Sequence, residues 1–381
     1  MDNLIATAWP DGFWPSIIKI FSFIGNYAWI IIVFTIVLKL VLSPLDFAQR
    51  YYSNKTSRMQ AKIQPQLEKL KKQYGQNTAL LYQKQNELYQ KNGVSNRGSC
   101  IFMLIYLVLT MVIFFSLFSS LQYISRYNIQ DQYNNLQNTY YTSYNSEYVS
   151  DYLGQDITGH ETKIYTAEEI ATFEGEKKQS LIDGGMTEDE ALQDIGTNRS
   201  TSIDNAQNDV VEEYKVTKDS WLWIKNIYIS DNPTVTSVLS FDQYKSVTGD
   251  NTVAASSYNV VMYKLLNNEQ NLNGANGYFI LSILVLLVSF LSQFILRKTT
   301  QQKDKNGNKI PMPTSSKVMM LIMPVLMVMF TIRSSAIFSI YILTNSLVST
   351  ILSPITIAIA NKIENKRELQ EQEKIKVDYR R

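Results

Sequence analysis

Cysteine and histidine are nearly absent from this sequence. Its 381 residues include one cysteine, Cys100, and one histidine, His160. A single cysteine excludes an intramolecular disulfide framework and a multi-cysteine metal site. One histidine in a polar stretch argues against a histidine-based zinc cluster and a membrane-embedded Ser–His pair, and no phosphate-cradling loop is found. We therefore expect no metal, no other cofactor and no enzymatic activity.

The N-terminus lacks the pattern of a cleavable signal peptide. Asp2 stands where a basic region is expected, and no small-residue cleavage site follows an apolar core. Apolar residues instead recur at helical spacing within residues 1–26, at Phe13, Trp14, Ile17, Phe21 and Ile24. This spacing predicts an amphipathic helix in the membrane interface, with a short soluble amphipathic helix as the alternative.

Charged residues are also scarce within five long apolar runs. The average composition hides these runs, because only 45% of residues are apolar and the mean hydropathy is −0.13. A helix needs about 20 apolar residues to cross the hydrocarbon of a bilayer. The runs predict transmembrane helices at 27–47, 99–123, 277–297, 317–333 and 334–360, the last two forming a hairpin that turns at Arg333. The predicted fold class is an all-α integral membrane protein with five transmembrane helices.

Acidic residues are scarce in two of the segments between these runs. Segments 48–98 and 298–316 are strongly basic and the tail 361–381 again carries Lys and Arg, whereas segment 124–276 is rich in acid. Because basic loops stay on the cytoplasmic side, the N-terminus is predicted outside and the C-terminus inside. Segment 124–276 becomes a large external insertion. It has no motif for chemistry, but helical patterns at 166–173 and 187–193 and many tyrosines favour a small folded domain.

The first basic segment has a periodic pattern of its own. Met59, Ile63, Leu67, Leu70 and Tyr74 recur at steps of four and three, which is typical of a helix that packs on another. Gly75 to Asn77 break this pattern, and Thr78 is expected to cap a second helix. The segment 48–98 is therefore predicted to be a cytoplasmic helical hairpin, bent or begun at Pro65. Its lysines form either a solvated face or a site for anionic lipid or ribosomal RNA.

One charge, Lys39, interrupts the first predicted span. It lies roughly 9 Å from the inner end of that helix by helical rise. A charge at the centre of a span costs about 2.5–3.5 kcal/mol, although a lysine can snorkel to the headgroups. The nearest carboxylate in the sequence, Asp46, is expected at the membrane edge and not as a partner. Polar residues of the spans either join helices or line a cavity around the lysine: Thr35, Gln293, Tyr341, Thr344 and Asn345.

Several segments resemble the YidC/Oxa/Alb-type membrane protein insertases in order and spacing. They are NYAWIIIVFTIVLKLVLSPLDFAQ at 26–49, MQAKIQPQLEKLKKQYG at 59–75, ELYQKNGV at 87–94, WLWIKNIYISDNP at 221–233, IMPVLMVMF at 322–330 and SAIFSIYILTNSLVSTI at 335–351. The resemblance covers all five predicted spans and the hairpin. It implies an insertase and chaperone of a bacterial plasma membrane.

The resemblance also implies roles for particular residues. Lys39 is expected to be the positive charge of a groove open to cytoplasm and lipid, and Thr35 and Tyr341 match groove residues of the family. Gln293, Thr344 and Asn345 are assigned to the same groove. The hairpin is expected to capture clients through Met59, Ile63, Leu67, Leu81 and Leu88. The implied partners are nascent membrane proteins, lipid, the ribosome and the Sec translocon, and no DNA.

The sequence departs from the family in three ways, and one other function stays open. Lys39 replaces the usual arginine, the second span lacks the family's prolines, and the external segment is unusually long. The alternative is a secondary transporter or channel for a small solute. Against it stand the missing inverted repeat and the missing intramembrane acid for ion coupling.

Overall fold

The computed structural model describes residues 11–91, 96–267, 271–300 and 314–378. Within these ranges the protein is all-helical, with two isolated β-bridges and no strand. Four helical stretches are long and apolar enough to cross a membrane: Tyr27–Tyr52, Leu104–Tyr152, Ile280–Lys298 and Ala336–Arg367. Met320–Arg333 is a shorter apolar helix. The all-α class and at least four candidate spans are thus confirmed, and the count of five stays a prediction.

The chain forms two compact units. The first, here called the membrane unit, comprises the described parts of Ser16–Ser119 and Ile280–Arg381. Its helices are α1 (Phe13–Lys19, shared with the other unit), α2 (Tyr27–Tyr74), α3 (Thr78–Lys91), the first half of α4 (Asn96–Tyr144), α10 (Ile280–Thr300), α11 (Thr314–Arg333) and α12 (Ala336–Asp378). The break between α11 and α12 falls at the predicted turn. The predicted loop 298–316 lies largely outside the described residues.

Helix α12 lies at the centre of the membrane unit. It packs against α2 on one side and α10 on the other, and α10 also packs against α11. Aromatic rings add α4 to this bundle. Phe118 of α4 lies edge-on to Phe338 of α12 and Phe330 of α11, with centroids 4.7 and 5.9 Å away, and Phe114 contacts the same two rings. Such edge-to-face pairs are favourable because the ring edge and face carry opposite partial charge.

Helices α2 and α3 pack against each other within segment 48–98, and the cytoplasmic hairpin stays a prediction. Ile63 and Leu67 are buried there, with Met59, Leu88 and Tyr89 partly buried against them. Helix α2 runs unbroken from the first candidate span through Pro65, so a helix start at this proline is excluded and a bend there stays a prediction. The expected cap at Thr78 was wrong, because the Asn77 Oδ1 accepts the Leu80 N–H at 3.1 Å and caps α3. An asparagine one residue earlier is an equally good cap.

The second compact unit, here called the insertion unit, is formed largely by Ser120–Phe279. It contains the second half of α4, a π-helical turn at Asn145–Tyr152, and helices α5 (Ala167–Asp183), α6 (Glu188–Thr217), α7 (Phe241–Thr248), α8 (Ala255–Val261) and α9 (Tyr263–Leu266). Thr166 and Thr187 begin α5 and α6 with reciprocal capping boxes. Both helical patterns are confirmed. Residue 123, where the second predicted span ends, lies inside α4.

Tyrosines form much of the core of the insertion unit. Tyr133, Tyr244 and Tyr258 are almost fully buried, and the rings of Tyr133 and Tyr258 stack with centroids 4.9 Å apart. Burial raises the pKa of Tyr214 to about 12, so this phenol stays neutral at physiological pH. The tyrosine-rich composition therefore builds a folded domain, as the sequence predicted.

A buried polar network joins the WLWIKNIYISDNP segment to the residues just before α10. The Asn276 side chain accepts the Asn226 N–H and donates to two carbonyls, of Asn226 and Ser230, at 2.8 and 2.9 Å. The Asp231 carboxylate accepts the Tyr278 N–H at 2.8 Å. Gly277 lies so close to this aspartate that an added Cβ would overlap its carboxylate and stand 2.9 Å from its Cα.

Gly277→Ala is expected to destabilise the insertion unit by about 1–3 kcal/mol, the usual range for overpacking a tight site. The measurement is the apparent Tm of the full chain in detergent. Gly175→Ala is the matched control, because an added methyl there meets no atom within 4 Å and a helical Gly→Ala change stabilises by about 0.5–1 kcal/mol. A Tm of Gly277→Ala at or above that of the wild type would contradict this account.

Candidate functional site

The site begins with an ion pair on one face of α2. Lys39 and Asp46 are seven residues apart, which is close to two helical turns, so both side chains lie on the same face. The Lys39 ammonium is 2.9 Å from Asp46 Oδ2, and each side chain is about one-sixth exposed. The expectation that Asp46 would not pair with the lysine was therefore wrong. Because the lysine stem extends toward the later residue, its direction also agrees with the snorkelling alternative.

A second helix holds the other oxygen of this aspartate. The Tyr106 hydroxyl of α4 donates to Asp46 Oδ1 at 2.5 Å. The carboxylate thus has one partner on its own helix and one on α4. Hydrogen bonds to a charged acceptor are stronger than neutral ones. Sequence reasoning missed Tyr106, because nothing in its local pattern distinguishes it from the apolar residues around it.

Proline and serine arrange the backbone between the two charged residues. Pro44 has no N–H, so the Leu40 carbonyl one turn earlier loses its usual helical partner. The Ser43 hydroxyl donates to that carbonyl at 2.7 Å instead. In a lipid environment no water is available to satisfy a free carbonyl. The serine therefore supplies a donor for the carbonyl that the proline leaves without its helical partner.

The other residues assigned to the groove lie mostly inside the bundle. Thr35 is 1% exposed, and its hydroxyl donates to the Ile31 carbonyl of the same helix at 2.6 Å. On α12, Tyr341 and Thr344 are buried and Asn345 is half-buried. Gln293 of α10 is half-buried, and its Oε1 is buried without a hydrogen-bond partner among the described residues. These side chains belong to helices that pack together, and their place in a groove stays a prediction.

A further polar layer joins α2 to α12 and was not predicted from the sequence. Arg50 donates to the buried Ser353 hydroxyl at 2.6 Å. One residue later, the Tyr51 hydroxyl donates to Glu364 Oε2 at 3.0 Å and accepts from Arg367 at 2.5 Å. Arg50 and Tyr51 could be read only as part of a basic segment, because their partners are more than 300 residues away in the chain.

Helix α4 is the least enclosed of the candidate spans. In its most apolar 18-residue window 11% of residues are buried, compared with 28% in the corresponding window of α2. Its described contacts with the rest of the membrane unit include the Tyr106–Asp46 hydrogen bond and the rings of Phe114 and Phe118. Much of this helix therefore faces outward, as a lipid-exposed helix does.

Comparison with known proteins finds relatives of part of the chain. A family model described as "60Kd inner membrane protein" matches residues 19–154. This region includes Lys39, Asp46 and Tyr106. Proteins named "Membrane protein insertase YidC" are 37% identical over 95 residues in Thiobacillus denitrificans and 35% identical over 86 residues in Fusobacterium nucleatum. A third, from Ectopseudomonas mendocina, is 38% identical over 88 residues.

Over part of its length the chain is similar to the YidC/Oxa family.

The extent of these matches is limited. They cover 25%, 23% and 23% of this chain, and 16%, 40% and 14% of the three relatives in the same order. No solved structure matches the chain. Tyr341 and Gln293 lie outside the region that the family model matches.

The pair formed by α2 and α3 carries a shallow groove of about 330 Å³. Leu70 and Leu88 are among its lining residues, together with Lys69, Lys84 and Lys91. Of the residues predicted to capture clients, Leu88 lines this groove and Leu81 is half-buried. Ile63 and Leu67 are buried in the hairpin and reach no surface. Among the described residues, no group of three or more His, Cys, Asp or Glu is placed to hold a metal ion.

The role of Ser43 can be tested by a pair of substitutions. Ser43→Ala is expected to destabilise the membrane unit by about 1–3 kcal/mol, because it leaves the Leu40 carbonyl unpaired. In a Pro44→Ala background the same change is expected to be nearly neutral, because residue 44 then supplies its own N–H. Thermal unfolding of all four proteins in detergent measures the coupling. An equal cost in both backgrounds would show that the serine does not compensate for the proline.

Proposed function

We propose that this chain is a membrane protein insertase and chaperone. It binds the hydrophilic flank of a client near Lys39 while the apolar segment of the client moves into lipid. The observation that carries the proposal is a lysine within an apolar span, in the part of the chain that is similar to the YidC/Oxa family. Relatives in this family bear the name membrane protein insertase.

The physical basis is a lower cost of desolvation. A polar or charged flank that crosses hydrocarbon unaided loses its hydrogen bonds to water, at several kcal/mol for each group. Lys39 and Asp46, with Thr35, Gln293, Tyr341, Thr344 and Asn345 nearby in the bundle, offer partial replacements. The apolar segment of the client then partitions into lipid, and this partition supplies the driving force without nucleotide hydrolysis.

The burial of Thr35 and Tyr341 requires an opening step in this mechanism. These side chains are 1% and 6% exposed, so a client reaches them only after a helix moves. Helix α4 is the best candidate because it is the least enclosed span. The contacts of Phe114 and Phe118 with Phe330 and Phe338 are among the interactions that such a movement would break.

The proposed topology places the basic segments in the cytoplasm of a bacterial cell. Under this topology the chain has five spans, the N-terminus outside, the C-terminus inside, and the insertion unit outside the cell. The groove on the hairpin then faces the cytoplasm, where Leu70 and Leu88 offer apolar contact and the lysines attract acidic flanks or the ribosome. The Sec translocon is a further proposed partner.

Substitution of Lys39 tests the proposal. In a strain depleted of its own insertase, Lys39→Arg is expected to preserve insertion of a short client with an acidic external tail. Lys39→Glu is expected to lower insertion at least about tenfold, the effect of losing ~1.4 kcal/mol, because it sets a second carboxylate beside Asp46. Lys39→Ala is expected to lie between them. Protease protection of the client tail is the measurement.

Lys245→Glu is the control for charge reversal, because Lys245 is exposed on the insertion unit. If the three Lys39 variants insert the client equally at equal protein levels, the charge of Lys39 has no part in insertion. The lysine would then only snorkel.

A further inference from the structure

We propose that Asp46 is a specificity-determining residue that stands in for the carboxylate of a client. In the resting protein it occupies the Lys39 ammonium, and an acidic group on the client must replace it there. Asp46 thereby sets how strongly the protein prefers clients with acidic flanks. This inference rests on the proposed insertase function and assigns to it a residue that opposes client binding.

The Lys39–Asp46 ion pair occupies the position that a client carboxylate would need. Lys39 Nζ lies 2.9 Å from Asp46 Oδ2, within the distance of a charge-assisted hydrogen bond. A client carboxylate that binds the same ammonium must take this position. Because the two residues share one face of one helix, the pair needs no other part of the protein to form. The positive charge of Lys39 is therefore balanced by Asp46 whenever no client is present.

Asp46 also has a hydrogen-bond donor other than Lys39. The other nearby cation, Arg50, donates to the Ser353 hydroxyl at 2.6 Å. Tyr106 of α4 donates to Asp46 Oδ1 at 2.5 Å. The carboxylate therefore keeps a hydrogen-bond donor when it releases the lysine. Transfer of the Lys39 ammonium from Asp46 to a client consequently costs less free energy than the removal of both partners of Asp46 in a low-dielectric environment.

A purely structural pair would have different consequences. If Asp46 serves only to offset the cost of a lysine in the membrane, its removal lowers stability and reduces the insertion of every client alike. If Asp46 competes with clients, its removal frees the ammonium and favours acidic clients over neutral ones. The ratio between two clients separates these cases, because differences in the amount of folded protein cancel within one variant.

The experiment uses the full chain, purified and reconstituted into liposomes of defined phospholipid. Two single-span clients differ only in their translocated tail, which carries either two aspartates or two asparagines. Protease protection gives the acidic-to-neutral insertion ratio for the wild type, Asp46→Asn, Lys39→Ala and the double variant. Asp46→Asn retains an acceptor for the Tyr106 hydroxyl, and Asp46→Ser is a second variant if the first does not accumulate.

Asp46→Asn is expected to raise the acidic-to-neutral ratio about two- to fivefold, the size of effect expected for a partly exposed ion pair. In the Lys39→Ala background the same substitution is expected to leave the ratio unchanged, because no ammonium remains to be contested. An unchanged or lower ratio for Asp46→Asn and Asp46→Ser in the Lys39 protein would overturn the inference. Failure of the wild type to insert either client above protein-free liposomes would instead refute the proposed function.

Discussion

A lysine ammonium within an apolar helix requires a partner of opposite charge, and the membrane unit is organised around that requirement. Asp46 lies two turns further along α2 and approaches Lys39 to 2.9 Å. The same carboxylate accepts a hydrogen bond from Tyr106, so the charge on α2 also holds α4. A neutral residue at position 39 would leave the aspartate with one partner fewer and loosen this connection. The ion pair therefore connects the charge of Lys39, the packing of α4 on α2 and the proposed access of clients to Lys39.

The backbone of these helices meets a second requirement, because free carbonyls are costly where lipid replaces water. At Pro44 the adjacent serine supplies the missing donor. Hydroxyls have a similar role where α10, α11 and α12 meet. The buried Thr331 hydroxyl donates to Ser282 at 3.0 Å, and Ser339 donates to the Thr331 carbonyl at 3.2 Å. Small hydroxyl residues also allow close approach of helices. Hydroxyl groups of the membrane unit therefore have structural roles as well as the proposed role in client binding.

The sequence predicted the helices well because their signals are local. Apolar runs, the α11–α12 turn at Arg333 and the helical patterns at 166–173 and 187–193 all depend on neighbouring residues. The continuity of α4 beyond residue 123 and of α2 beyond residue 47 was not predicted. Helix α4 continues into the insertion unit and α2 into the hairpin, and hydropathy marks the edge of a membrane rather than the end of a helix.

The candidate site was predicted only in part, because its contacts are distant in sequence. Lys39 was found from its position in an apolar run. Its partner was missed because Asp46 was judged by its depth and not by its helical face. Tyr106, Ser353 and Glu364 become visible only when three helices are brought together. The assignment of Thr35 and Tyr341 to a groove stays a prediction, and a sequence pattern does not reveal that both side chains are buried in the resting protein.

The central claim is that clients pass along the face of α2 that carries Lys39, and site-specific cross-linking tests it most directly. A photo-reactive amino acid is placed at Thr35 or Tyr341, or at Val41 or Ile351 as exposed positions on the same two helices. A ribosome-stalled client with an acidic flank is then added. The account predicts cross-links from Thr35 and Tyr341 that disappear in Lys39→Glu, and weaker ones from Val41 and Ile351. Cross-links from the exposed positions alone, unaffected by Lys39→Glu, would contradict it.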